Sequence, residues 1–136
     1  MNRRGKMGEL EKLLESAAKE IAEMVGASVV NMETGLALAS YSVDPSFDVS
    51  VSSAAYAEVL KQNDVALDLL GGPEVVGEVE DILVTTDKFY FLVRKLGNKH
   101  FLGVAITKKG NLGLARVIMK KYEPKMEEEL AELDEM

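Results

Sequence analysis

His100 is the only histidine in the chain and there is no cysteine, so a Ser-His or Cys-His nucleophile–base pair could be built on this one imidazole alone. Its place beside the turn Gly97-Asn98-Lys99 marks it as an ordinary surface residue at a strand end. Glu78, Glu80 and Asp81 are close enough in sequence to suggest a hard-cation site or a shared proton. At the start of an edge strand the simpler reading is solvent-facing charge that discourages wrong strand pairing. Arg94 and Arg116 lie inside the folded region, where an arginine can stabilise charge in phosphoryl transfer, but a salt-bridged or solvated role is the expected one. None of GKMGEL, GGPEVVGEV and GNKHFLG has the G-x-x-x-x-G-K-[ST] spacing of a phosphate loop. No catalytic, metal-binding or cofactor-binding residue is expected, and the chain is not read as an enzyme.

Composition points the same way. The 136 residues are enough for one domain with a real core, and the net charge of −7 opposes non-specific attraction to nucleic acid. The absence of cysteine suits a reducing, cytoplasmic setting. No apolar run approaches the roughly 18 residues a membrane span requires, so membrane insertion is not expected. The partners implied are proteins.

The elements that must position any interaction surface can be read from periodicity. Leu10, Leu13, Leu14, Ala17, Ile21, Met24 and Val25 recur at helical spacing, predicting a first helix from Glu9 to Val25 that Gly26 stops. Ala27 to Met32 and Leu36 to Ser42 read as a hairpin closed at Gly35 by a left-handed residue. Asp48 or Ser50 can cap a second helix that runs to Leu70 and ends at Gly71-Gly72-Pro73. Segments from Val75 to Thr86, Phe89 to Leu96 and His100 to Thr107 read as a three-stranded meander. Asn111 then caps a last helix whose apolar stripe keeps its period across Pro124, so the helix is expected to continue through the proline rather than break there. Residues 1–8 read as a flexible basic tail, 9–123 as the folded domain, and 124–136 as the end of the last helix with a frayed acidic tail.

The second helix is unusual. At about 100° per residue its apolar side chains, from Val65 and Ala54 through Val51, Ala55, Val59, Tyr56 and Leu67 to Leu60, cover roughly 240° of the wheel, against about 120° for the first helix. Such a helix is either buried inside the monomer or packed on the sheet with one face and on another chain with the other; the second reading is preferred. Lys61, Asp64 and Asp68 mark its narrow polar side, and Asn63 falls inside the apolar arc.

The stretches GASVVNMETGLALAS, DILVTTDKFYFLVRKLGNKHFLGVAI and NLGLARVIMKKY, in this element order, resemble the roadblock / dynein light chain family over about residues 9 to 123. That family includes MglB-type regulators of bacterial and archaeal small GTPases. The resemblance implies an α+β fold, a roadblock-like α/β/α sandwich of order α-β-β-α-β-β-β-α on a five-stranded antiparallel sheet of order 2-1-5-4-3. It also implies a homodimer joined through the third strand and the second helices. The interface residues would then be Tyr56, Val59, Leu60, Asn63 and Leu67 on the helix, with Val79, Ile82 and Val84 on the strand. Glu58, Lys61, Gln62, Asp64 and Asp68 would be the exposed candidates for docking a Ras-like small GTPase. A light-chain-like adaptor and a small-molecule sensor are the alternatives.

Overall fold

The computed structural model describes residues 3–134, with side-chain surroundings from Gly8 onward. Small and apolar residues at successive positions require strands covered on both faces, and the middle strands are: β1 (Met24–Asn31), β4 (Phe89–Leu96) and β5 (His100–Thr107) bury side chains toward both sides. With β2 (Ala37–Ser42) and β3 (Asp81–Thr85) they form one antiparallel sheet of order β2-β1-β5-β4-β3. The order expected from the sequence is therefore present, with helices on both faces.

One face carries α1 (Arg3–Glu20) and α4 (Leu112–Asp134), whose Leu10, Leu14, Met119, Met126 and Leu130 pack with Val29, Leu92, Leu102, Val104 and Ile106 of the sheet. The other face carries α2 (Ser53–Leu69), preceded by a 3-10 turn over Val49–Ser52. There Ala57 and Leu60 meet Val30, Val93 and Phe101 in a second, smaller cluster. Asp48 caps the 3-10 turn by accepting from the Ser50 amide at 3.0 Å, and Asn111 caps α4 by accepting from the Leu114 amide at 2.9 Å. α4 runs unbroken through Pro124, which faces solvent, where the carbonyl that loses its amide partner can be hydrated.

Four boundaries differ from the sequence reading, each for a physical reason. α1 begins at Arg3, inside the segment expected to be a flexible tail, and ends at Glu20. Ile21 and Met24 stay in the same core after the chain has left the helix, so their spacing mimics another turn. The stop is Glu23, at φ 69, held by the Thr107 hydroxyl on its carboxylate at 2.7 Å; Gly26 is an interior residue of β1. At the other end, the acidic segment expected to fray is the last part of α4, because Met126 and Leu130 are buried on its inner side. Finally, Val75 and Val76 belong to a single helical turn, α3 (Pro73–Val76), and β3 begins only at Asp81. A β-branched pair read as strand is overridden by Pro73 at a helix start after two positive-φ glycines, Gly71 and Gly72.

Candidate functional site

The sheet faces α2 with Ser53, Ala57 and Leu60, one turn apart along the helix. Helical geometry then turns Ala55, Gln62, Ala66 and Leu69 away from the sheet. Val51 in the preceding turn and Leu69 at the end of α2 are 85% and 83% exposed. Val59, Val65, Leu70, Val75 and Val76 are exposed as well. The outward line is apolar apart from Glu58 and Gln62, which is unusual for a helix over a sheet and typical of one that meets another helix.

Beside this face runs the free edge of the sheet. β3 hydrogen-bonds to β4 alone, leaving one row of its amides and carbonyls without a strand. Ile82 and Val84 register with Val93 and Phe91 and share the α2 side of the sheet, with Ile82 against the smaller cluster.

The wheel finds the apolar arc but not which end of it meets the sheet. Leu60 is 0% exposed within the single chain, so its side chain is core and leaves no surface for a partner. Tyr56 and Leu67 are half-buried near it, and burial pushes the Tyr56 phenol upward from its ordinary pKa. Val59 is exposed and Asn63 half-buried on the boundary between inner and outer faces. Lys61, Asp64 and Asp68 do not oppose the sheet: Asp64 and Asp68 line an open groove of about 200 Å³ with Leu67, Glu78, Val79 and Lys95. Val79 thus sits in the loop before β3 rather than on the strand. Lys61 pairs with Glu58 at 3.3 Å, and Gln62 is exposed beside them. The residues the wheel left unassigned to the outer face are Val51, Ala55, Val65, Ala66, Leu69 and Leu70; their exclusion from the Leu60 side of the arc is the signal that could have found them.

Two chemical groups, His100 and Asp81, are placed differently from expectation. His100 is 5% exposed, because β5 tucks it under the end of α4; burial lowers its pKa, partly countered by the charge of Asp134. Asp81 is not a solvent-facing edge charge. It accepts Arg94 Nη1 at 2.6 Å and Arg116 Nε at 3.1 Å, because its side chain points to the α4 side of the sheet. Arg94 also donates to Glu123 and is 5% exposed; its hydrogen bonds to Glu123 raise its pKa against the opposing cost of burial. Both arginines are thus salt-bridged, as read from the sequence. Glu78 and Glu80 are exposed. Among the described residues, no group of three or more His, Cys, Asp or Glu side chains could hold a metal ion, and no helix is long and apolar enough to cross a membrane.

No protein-family model and no curated protein matches the sequence. Solved structures do match. Myxococcus xanthus MglB superposes with a TM-score of 0.80 at 16% identity, over 93% of this chain and 91% of that one. A Roadblock/LC7 domain from Streptomyces avermitilis gives 0.77 at 16% identity, over 89% and 97%. The gliding protein MglB from Thermus thermophilus gives 0.79 at 15% identity, over 97% and 93%. The chain has the roadblock fold that the sequence resemblance implied.

Proposed function

We propose that the protein is a non-enzymatic homodimeric platform that binds and regulates a Ras-like small GTPase. The observation that carries this reading is the apolar outer face of α2 lying beside the open β3 edge, on a fold shared with MglB. Joining two chains there would bury Val51, Val65 and Leu69, and would pair the free edge of β3 with its copy, removing two aggregation-prone surfaces at once. Of the polar docking candidates, Glu58 and Gln62 would lie along that seam, and Lys61, Asp64 and Asp68 on its flank would then border a surface that neither copy presents alone. A GTPase docked on it would be read through switch loops that γ-phosphate and Mg²⁺ order.

The protein itself contributes no phosphate loop, and its two inner arginines are committed to carboxylates, so the regulation proposed works by positioning or by stabilising a nucleotide state. A sensor role built on the space under α2 has less support. The space between α2 and the sheet, lined by Ser28, Ser53, Tyr56 and Phe101, is about 20 Å³, room for about one water rather than the 300 Å³ or more typical of ligand pockets.

The test is capture from native lysate with the full chain as bait, under GDP and under a GTP analogue. Recovery of a small GTPase that depends on the nucleotide supports the proposal. Recovery of one assembly irrespective of nucleotide supports the adaptor reading instead.

A further inference from the structure

Strand β3 has little apolar surface to hold it in place. It is five residues long, ladders with β4 alone, and is entered from the irregular segment 77–80. Ile82 and Val84 are half-buried and Leu83 is exposed. Of the two apolar clusters that hold the sheet to its helices, β3 supplies only Ile82.

Charge does what apolar burial does elsewhere. Asp81, the first residue of β3, receives Arg94 Nη1 at 2.6 Å, and Arg116 Nε and Nη2 at 3.1 and 3.2 Å. Arg94 reaches past it to grip both carboxylate oxygens of Glu123. The Asp81 and Glu123 side chains are each 14% exposed, Arg94 6% and Arg116 33%. Two guanidinium groups offset two carboxylates, so the cluster is neutral as a whole, and removing any one member leaves an uncompensated charge in a poorly solvated place. Arg116 and Glu123 both belong to α4, on the face of the sheet opposite α2. The first residue of the open edge is therefore tied to the helix on that far side.

We infer that the Asp81–Arg94–Arg116–Glu123 cluster is an electrostatic latch that fixes β3 to α4, and that β3 is a separately releasable element of the fold. Opening the latch frees the edge strand while β1, β4 and β5 keep their apolar supports, the behaviour of a local rather than global unfolding unit. Resting on the homodimer reading, one consequence follows: the strand that joins two copies is controlled from the face that does not carry the helix pair.

The experiment is amide hydrogen exchange on the full chain for Asp81→Asn, Arg116→Gln and a control, Lys121→Gln, which removes the Lys121–Glu20 pair between α4 and α1 without touching the cluster. In both latch variants, protection across residues 81–85 falls tenfold or more while β1 and β5 amides keep theirs; the control leaves all three strands unchanged. Arg116→Gln removes a partly exposed member and leaves the Arg94 contacts in place, so it decides the matter even where Asp81→Asn fails to fold. Unchanged β3 protection in Arg116→Gln, or a loss shared equally by β1 and β5, overturns the latch and makes the cluster an ordinary core ion pair. Light scattering on the same samples separates the two ideas. A wild type of monomer mass refutes the homodimer while the exchange result still decides the latch.

Discussion

Gly35 rests directly on Ala54: a Cβ at position 35 would lie 3.0 Å from the Ala54 Cα. The contact joins the tip of the β1–β2 hairpin to the first turn of α2, and Asn31 shapes that tip by accepting the Glu33 and Thr34 amides at 2.9 and 3.0 Å. Gly35 has φ 73 and Gly97, in the β4–β5 turn, has φ 67, yet a Cβ at 97 would meet nothing within 4 Å. Gly97→Ala is predicted to cost about 1 kcal/mol, the left-handed backbone alone. Gly35→Ala adds overpacking against backbone and is predicted to cost about 2–4 kcal/mol in all. Urea denaturation of the two variants measures the difference, and equal losses would contradict a tight hairpin–helix contact.

Leu60 and Leu69 lie on opposite sides of α2, and the same substitution should act on them differently. Leu60→Asp puts a carboxylate into the core cluster and is predicted to unfold the chain, since truncation of a buried leucine even to alanine costs about 2–5 kcal/mol. Leu69→Asp is predicted to preserve the circular dichroism spectrum and shift the mass toward monomer. A dimer unaffected by Leu69→Asp would remove the outer face of α2 from the interface.

His100 gives the fold a pH dependence of definite sign. Its pKa is lowered by burial below the ordinary 6.5, so the unfolded chain takes up the proton before the folded one. Its contribution is intact above about pH 6.5 and is lost as pH falls through that value toward the folded pKa. The carboxylates of Glu20, Asp44 and Asp48, each lowered by hydrogen bonds, add a second loss at more acid pH, below their ordinary 4.5, 3.8 and 3.8. Denaturation midpoints measured from pH 8 to 5 should decline for the wild type and decline less for His100→Gln; parallel curves would show that His100 does not carry the effect.

Lys61 and Asp68 sit on the flank of α2, away from both the core and the outward apolar line. Lys61→Glu and Asp68→Lys are predicted to weaken capture of the GTPase tenfold or more while dimer mass and thermal midpoint stay within a few degrees. The Lys61–Glu58 pair lost in the first variant is a surface pair of the kind worth about 0–1 kcal/mol. Capture at wild-type strength by both variants would place docking on another face.

Much of this architecture was legible because local signals and tertiary needs agree. Gly35 supplies the left-handed residue of its turn, Asp48 and Asn111 supply helix caps, and β4 and β5 are runs rich in aromatic and branched residues bounded by turns. What could not be read are features fixed by distant residues. Glu23 ends α1 because Thr107 holds it, 84 positions away, and Asp81 is inward because Arg94 and Arg116 call for a carboxylate there. The wheel of α2 gave a wide apolar arc, but a wheel has no origin: which end of the arc meets the sheet depends on where the Gly35 hairpin and the smaller core cluster seat the helix.

Whether the protein is a GTPase-binding platform is decided by a binding titration of the purified full chain against each Ras-like small GTPase encoded in the same genome, loaded in turn with GDP and with a non-hydrolysable GTP analogue. One of them is expected to bind the dimer, with the two nucleotide states differing in affinity by tenfold or more, about 1.4 kcal/mol, because the γ-phosphate with Mg²⁺ orders the switch loops. Equal affinity of both states for every such GTPase, or no binding by any, would contradict it.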